Sequence, residues 1–308
     1  MFAQLPCCFV LVRLEVSARC EHREKVAIAT RCRPNLPLST TNLREPPNSG
    51  RLSEFRPLER RRPDEAGLVN AGRFNPMTAE SVLHLAEIFC SRQGEGELAG
   101  TMSVFVRATG CNLRCWFCDT PYTSWEPQGQ MVELAEIIEQ IATYDCRHVV
   151  LTGGEPLLQP GIVPLSEVLR KRGYHITVET AGTIDRPVAA DLMSISPKLS
   201  NAAPHAENHW DIRHERDRFV PATLQRLVTD YPYQFKFVID QTPDVDEVRR
   251  WLRLFPMVPP DRVWLMPQGR TTEELAQRGV WLEALAHSLG YHFCPRRHIE
   301  WYGNVRGT

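Results

Sequence analysis

From Ser81 onward, short apolar runs alternate with stretches whose apolar residues recur at helical spacing. Met102 to Ala108 (Met-Ser-Val-Phe-Val-Arg-Ala) reads as a strand stopped by Gly110. Val132 to Tyr144 sets Val132, Leu134, Ile137, Ile138 and Ile141 on one face of a helix. His148 to Thr152 is an apolar strand that stops at Gly153-Gly154, and Ile162 to Arg172 is a helix closed by Gly173 just past its end. The same reading gives strands at His175 to Glu179, Leu192 to Ser196, Phe235 to Ile239 and Val263 to Met266, with helices at Val245 to Leu254 and Glu273 to Leu289. Strands alternating with helices build a parallel sheet with right-handed crossovers. Six strands fall short of a closed eight-stranded barrel. The expected fold class is therefore α/β, a partial, open β/α barrel of about six parallel strands.

Residues 1–76 do not share this pattern. They hold 12 Arg and 1 Lys against 8 acidic residues, a net of +5, which leaves −6 for residues 77–308. They also hold 8 of the 24 prolines, and only Phe9 to Val16 has the apolar density of an ordered element. The segment has too many acids for a transit peptide and too short an apolar run for a signal peptide. It reads as disordered, or as an extension upstream of the true start, with the catalytic domain at 77–308 beginning near Met77. Over the 308 residues the net charge is −1, which leaves no electrostatic footprint for nucleic acid or for a membrane. No apolar run is long enough to span a bilayer. Ten cysteines without a disulfide framework suit the reducing cytoplasm. Cys7, Cys8, Cys20 and Cys32 have no metal-type spacing.

Chemistry collects at the C-terminal ends of the strands, the rim where β/α barrels carry their active sites. There lie Cys111-x3-Cys115-x2-Cys118, Thr152-Gly153-Gly154-Glu155-Pro156, Glu179-Thr180-Ala181-Gly182, Ser196-Pro197-Lys198 and Met266-Pro267-Gln268-Gly269. Three closely spaced thiolates can hold three irons of a four-iron cluster and leave the fourth open to an outside ligand. Zinc would need a fourth ligand at closed spacing, and the next cysteine, Cys146, lies in a different element.

This spacing resembles the signature of the radical S-adenosylmethionine (SAM) enzymes, whose open iron is chelated by SAM and whose reduced cluster cleaves it to a 5′-deoxyadenosyl radical. Gly153-Gly154-Glu155 is similar to that superfamily's segment for the SAM amino group. Glycines let backbone approach a ligand, and a carboxylate can accept from an ammonium. Upstream, Arg92-Gln93-Gly94-Glu95-Gly96 lies in Glu87 to Gly100, which reads as a glycine-containing loop able to close over a planar ligand, with Gln93 and Glu95 matching its amide and amidine edges. Together with Cys118-Asp119-Thr120 and the tail His298 to Thr308, these motifs resemble the 7-carboxy-7-deazaguanine synthase family over residues 80–308. The resemblance implies conversion of 6-carboxy-5,6,7,8-tetrahydropterin to 7-carboxy-7-deazaguanine with loss of ammonia, on the route to queuosine. It implies a 4Fe–4S cluster, SAM and Mg²⁺, an electron donor such as flavodoxin, and a homodimer. By motif it assigns Cys111, Cys115 and Cys118 to the cluster and Thr120 to Mg²⁺. Arg92, Gln93, Gly94, Arg107, Thr152 and Thr308 fall to the pterin, with Arg107 and Glu95 as the catalytic pair and Arg107 facing the substrate carboxylate. Phe117, Cys118, Asp119, Gly154, Glu179, Ser196, Pro197, Lys198, Met266, Pro267, Gln268 and Gly269 fall to SAM.

His205 and His209 have metal-type spacing but sit in a polar segment without helical periodicity, and read as a solvated loop. Cys90, Cys146 and Cys294 read as half-buried thiols. Two other functions share part of the pattern. A glycyl-radical activase would need a protein-docking surface, and a non-catalytic iron–sulfur or zinc protein would need no rim of polar motifs.

Overall fold

The computed structural model describes residues 80–205 and 209–308; the extension, its cysteines and the start near Met77 lie outside the described residues. In chain order the elements are β1 (Val82–Arg92), β2 (Met102–Ala108), α1 (Pro121–Ser124), β3 (Gln130–Glu133), α2 (Leu134–Ala142), β4 (His148–Gly153), α3 (Ile162–Lys171) and β5 (His175–Thr180). They continue with β6 (Leu192–Ile195), α4 (Trp210–Asp217), α5 (Pro221–Asp230), β7 (Tyr233–Ile239), α6 (Thr242–Leu252), β8 (Val263–Pro267), α7 (Thr272–Ser288), β9 (His292–Phe293) and α8 (Arg297–Tyr302). One nine-stranded sheet has the order β3-β1-β2-β4-β5-β6-β7-β8-β9. From β2 to β9 every neighbouring pair is parallel, whereas β1 runs antiparallel to both β2 and β3. The six expected strands are the parallel centre of this sheet.

Three differences from the sequence reading have local causes. The stretch Glu87 to Arg92 belongs to β1 and is not loop, because Leu83, Leu85, Phe89 and Ser91 are buried while the other side chains of the strand are partly or fully wet. Val132 belongs to the short strand β3, so α2 starts at Leu134 and buries Leu134, Ile137, Ile138 and Ile141. Helix α6 starts three residues early, at Thr242, because Gln241 and Asp244 form a capping box around its first turn.

Alternation along the strands separates two faces. Val106, Leu151, Val178, Ile195, Phe237 and Leu265 join the single large core beneath the helices. Their strand neighbours Arg107, Thr152, Glu179, Ser194, Lys236 and Met266 therefore point to the opposite, concave face. That concave face is polar, which an ordinary core would not tolerate, and it is where the site forms. Among the described residues no helix is long and apolar enough to cross a membrane.

Candidate active site

The concave face encloses a cavity of about 360 Å³. Its lining includes all three cysteines of the Cys111–Cys118 loop together with Gln93, Gly94, Glu95 and Arg107. All the residues assigned above line it except Glu155, Pro197 and Pro267.

The cysteine loop is braced largely through its backbone, while the Cys118 sulfur meets the Ser124 hydroxyl at 3.2 Å and the Cys111 sulfur accepts from the Leu113 amide at 3.4 Å. The Arg114 amide donates to His214 Nδ1 at 3.1 Å, and the Arg114 guanidinium donates to the carbonyls of Cys111 and Leu113, each at 2.8 Å. The Trp125 indole donates to the Cys115 carbonyl at 2.9 Å, and the Trp116 indole to the Asn201 carbonyl at 2.8 Å. His214 is fully buried, and burial pushes its imidazole down to about 4, so it is the neutral acceptor that the Arg114 amide needs. Burial likewise pushes the Cys111 thiol up to about 11 and the Cys115 thiol up to about 12. Such thiols lose their protons only to a cation that replaces them, as iron does. Among the described residues no group of three or more His, Cys, Asp or Glu side chains is gathered tightly enough to hold a single metal ion, the three cysteines included. Three thiols of one loop opening on a shared cavity fit a polynuclear cluster.

The two glycines of the next motif answer to backbone crowding. A Cβ on Gly153, at φ +139°, would lie 1.9 Å from the Ala108 carbonyl, and one on Gly154 would lie 2.3 Å from that of Gly110. The β4 turn is thus pressed against the cysteine loop. Glu155 does not face the cavity, contrary to its expected part in holding an amino group. It is completely buried, and its carboxylate accepts from Thr180 Oγ1 (2.9 Å), the Ala181 amide (2.8 Å) and the Leu157 amide (3.2 Å). Burial raises its carboxyl above the usual range. Its place is to pin the β4 turn to the end of β5.

A chain of charges crosses the cavity. The Lys236 ammonium, whose side chain is 2% exposed, donates to Glu95 at 2.8 Å and to Glu179 at 2.7 Å. Arg296 donates to Glu95 at 3.1 Å, to the Gly269 carbonyl at 2.7 Å, and to Asp119. Gln93 donates to Glu179 at 3.2 Å while its oxygen takes the Glu95 amide at 3.1 Å. Burial alone would raise Glu95, but the Lys236 ammonium and the Arg296 guanidinium beside it outweigh that and hold it well below the usual carboxylate range. Asp119 is lowered in the same way, burial being outweighed by Arg296. Burial opposes the charge on Lys236, yet Glu179 and Glu95 keep it ionised. Burial keeps the nearby His298 low, despite the pull of Glu95 4.0 Å away.

Comparison with known proteins decides what this arrangement belongs to. The Radical SAM superfamily matches residues 105–199. A 7-carboxy-7-deazaguanine synthase of Rhodopirellula baltica is 48% identical over 236 residues, covering 75% of this chain and 90% of the relative. The Halobacterium salinarum synthase is 44% identical over 73% of this chain and 93% of its own, and that of Pyrobaculum aerophilum 37% over 75% and 100%. The chain belongs to the 7-carboxy-7-deazaguanine synthase family. A solved structure, QueE from Escherichia coli, shares the fold at a TM-score of 0.52 and 21% identity, covering 69% of this chain and 92% of that one. As a radical SAM protein, a member of this family carries a 4Fe–4S cluster and uses SAM.

Several residues of this synthase-family site were not found from sequence. Lys236 was legible as a charge inside the apolar strand Phe235 to Ile239. Arg296 sits at φ +56° between β9 and α8, and nothing in Cys294-Pro295-Arg296 marks it. Glu87, Tyr122 and Arg306 form a second cluster around Arg107, described below. Cys294 is fully buried, not half-buried; its sulfur accepts from the Gly96 amide at 3.4 Å, and burial pushes the thiol up to about 11. His205 and His209 are exposed, as expected, on either side of 206–208.

Proposed function

We propose that this member of the family converts 6-carboxy-5,6,7,8-tetrahydropterin to 7-carboxy-7-deazaguanine plus ammonia, a carbon–nitrogen lyase step for queuosine synthesis. The observation that carries the reading is a single cavity that joins a three-thiol loop to a wall of Gln93, Glu95 and Arg107, in a chain 48% identical to a synthase. When bound, the reduced cluster and SAM supply the radical that abstracts hydrogen from the pterin.

The chain's own residues bind and orient. Arg107 offers its guanidinium to the substrate carboxylate. Gln93 and Glu95, each already fixed by a neighbour, present amide and carboxylate edges to the pterin ring, alongside Arg92, Gly94 and Thr152. Lys236 lets Glu95 and Glu179 stay ionised side by side, and Glu179 is then free to accept from SAM hydroxyls. Lys198 is folded back onto the Ser196 carbonyl and, at 2.8 Å, its hydroxyl, which stiffens the Ser196–Lys198 turn beside the cluster loop. Thr120 precedes α1, yet its hydroxyl makes no capping bond to the helix; it lies 3.3 Å from the Thr123 hydroxyl and lines the cavity. A hydroxyl that lines the cavity just past Cys118, held only by a long bond from Thr123 and the Cys118 sulfur 3.8 Å away, supports Thr120 as the Mg²⁺ ligand. The same reading brings a homodimer, a small reductant such as flavodoxin, the cytoplasm as compartment and residues 77–308 as the catalytic unit.

The test is anaerobic turnover of the reconstituted protein with SAM, Mg²⁺ and the carboxytetrahydropterin. Formation of 7-carboxy-7-deazaguanine with one ammonia per product is the expected result. SAM cleavage without that product, or no cleavage at all, would overturn the assignment in favour of an activase or a non-catalytic iron–sulfur protein.

A further inference from the structure

Behind the cavity wall, three elements far apart in sequence meet on one carboxylate. Glu87, on β1, accepts from Arg107 Nε at 2.7 Å and from the Tyr122 hydroxyl at 2.9 Å through Oε1. Its other oxygen accepts from Arg306 Nε at 3.1 Å. Arg306 lies in the C-terminal tail, its guanidinium 4.3 Å from the centre of the Tyr122 ring, and donates further to the Ala86 carbonyl and to Gln128, each at 3.1 Å. Arg107, Tyr122 and Arg306 all line the cavity, whereas Glu87 stands behind them and does not. Burial raises the Tyr122 phenol to about 12, so it is a neutral donor and leaves the charge count to the other three.

Two guanidiniums therefore share one carboxylate at the cavity wall. Arg107 spends its Nε on Glu87, which leaves both terminal nitrogens for a bidentate partner. The Phe89 ring, 5.4 Å from the Arg107 guanidinium, closes another side. A second carboxylate brought by a ligand would balance the second positive charge.

We propose that Glu87 is a positioning residue that aims Arg107 at the substrate carboxylate and, through Arg306, ties the C-terminal tail to the same event. It rests on the reading of Arg107 given above. Recognition of the carboxylate and closure of the tail are then one step, because the two guanidiniums lean on opposite oxygens of a single side chain. A glutamine here would supply one carbonyl oxygen where the carboxylate supplies two, so Arg107 and Arg306 could not both remain held.

The experiment compares anaerobic binding of the carboxytetrahydropterin with that of tetrahydropterin lacking the carboxylate, using the full reconstituted chain. Glu87→Gln should weaken the carboxylated ligand about tenfold or more, as loss of a charge-assisted bond does. It should leave the carboxylate-free ligand within about twofold and the iron content unchanged. Tail residues 303–308 should become more open to carboxypeptidase, and Arg306→Gln, which spares Glu87, should expose the tail equally while weakening only the carboxylated ligand. Unchanged or tighter binding of the carboxylated ligand by Glu87→Gln overturns the proposal. If that variant does not fold, discrimination kept intact in Arg306→Gln overturns it. Arg107→Met separates the two readings: if it leaves discrimination intact, the carboxylate assignment of Arg107 itself fails, and if it abolishes discrimination that Glu87→Gln preserves, only the role of Glu87 fails.

Discussion

Replacing Lys236 by methionine keeps the length of the stem and removes the ammonium. Its two partners, at 2.8 and 2.7 Å, each contribute about 6 kcal/mol of attraction at an effective dielectric of about 20, offset by several kcal/mol for desolvating each ion. Breaking such a buried arrangement from one side costs about 3–5 kcal/mol, because Glu95 and Glu179 are left facing each other. The loss should depend on pH, and its sign follows from Glu95. In the parent its carboxyl is held below the usual range, so its stabilising share is present above about pH 4.3 and is lost as pH falls through the folded value. In the variant, burial is left to push that carboxyl up against Arg296 alone, and it takes a proton at higher pH. The deficit should therefore be full at pH 8 and shrink by about 1–2 kcal/mol as pH falls to 5. Anaerobic urea unfolding reads this directly: at about 2–3 kcal/mol per molar, the midpoint falls by about 1–2 M at pH 8 and by less at pH 5. Adding Glu179→Gln should recover part of the loss. An equal deficit at both pH values would refute the electrostatic argument and leave only the packing of the stem.

Four further outcomes are expected. Thr120→Val should keep iron and SAM binding but lose the Mg²⁺ dependence of turnover; a rise with Mg²⁺ equal to the parent's would remove Thr120 as the ligand. Cys111→Ala should lose the four irons per chain and all SAM cleavage, seen by iron assay and by the cluster's visible absorbance. Gly153→Ala should cost more than about 3 kcal/mol, or give insoluble protein, since its Cβ meets the Ala108 carbonyl at 1.9 Å. Gly100→Ala, also at positive φ but in open space, should cost only about 1 kcal/mol by the same unfolding assay.

How much was legible follows the physics of each element. The parallel strands announced themselves because both faces are buried, so β2 matches its expected bounds and β4 to β8 lie within two residues of theirs. Strand β1 hid because it mixes buried and wet positions around a register shift between Leu85 and Glu87, which breaks the period of two. Helix α4 hid for the opposite reason: it is polar nearly all round and buries only His214. The cysteine loop and the glycine turn were legible as sequence because their requirements are local. Lys236 was legible only as a charge in an apolar strand, and Arg296 and Glu87 not at all, since their roles depend on distant partners such as Glu179, Asp119 and Arg306, 57, 177 and 219 residues away. The motif logic that found Gly153-Gly154 overreached at Glu155, whose carboxylate serves the turn and not the cavity.

The charge chain across the cavity also sets an order of events in folding. Gln93 waits for a partner 86 residues later, Glu95 for Lys236 at 141 and Arg296 at 201, and Glu87 for Arg306 at 219. The loop-closure entropy of such links must be met before they return any free energy, which puts them among the last contacts to form. The cysteine loop has one brace only ten residues away, at Trp125, but its contacts with Asn201 and His214 wait for 85 and 100 residues. During synthesis the thiols are thus exposed while the tail is still being made. Arg296 and Arg306, which line the cavity from within the last thirteen residues, are then among the final pieces of its wall to be made.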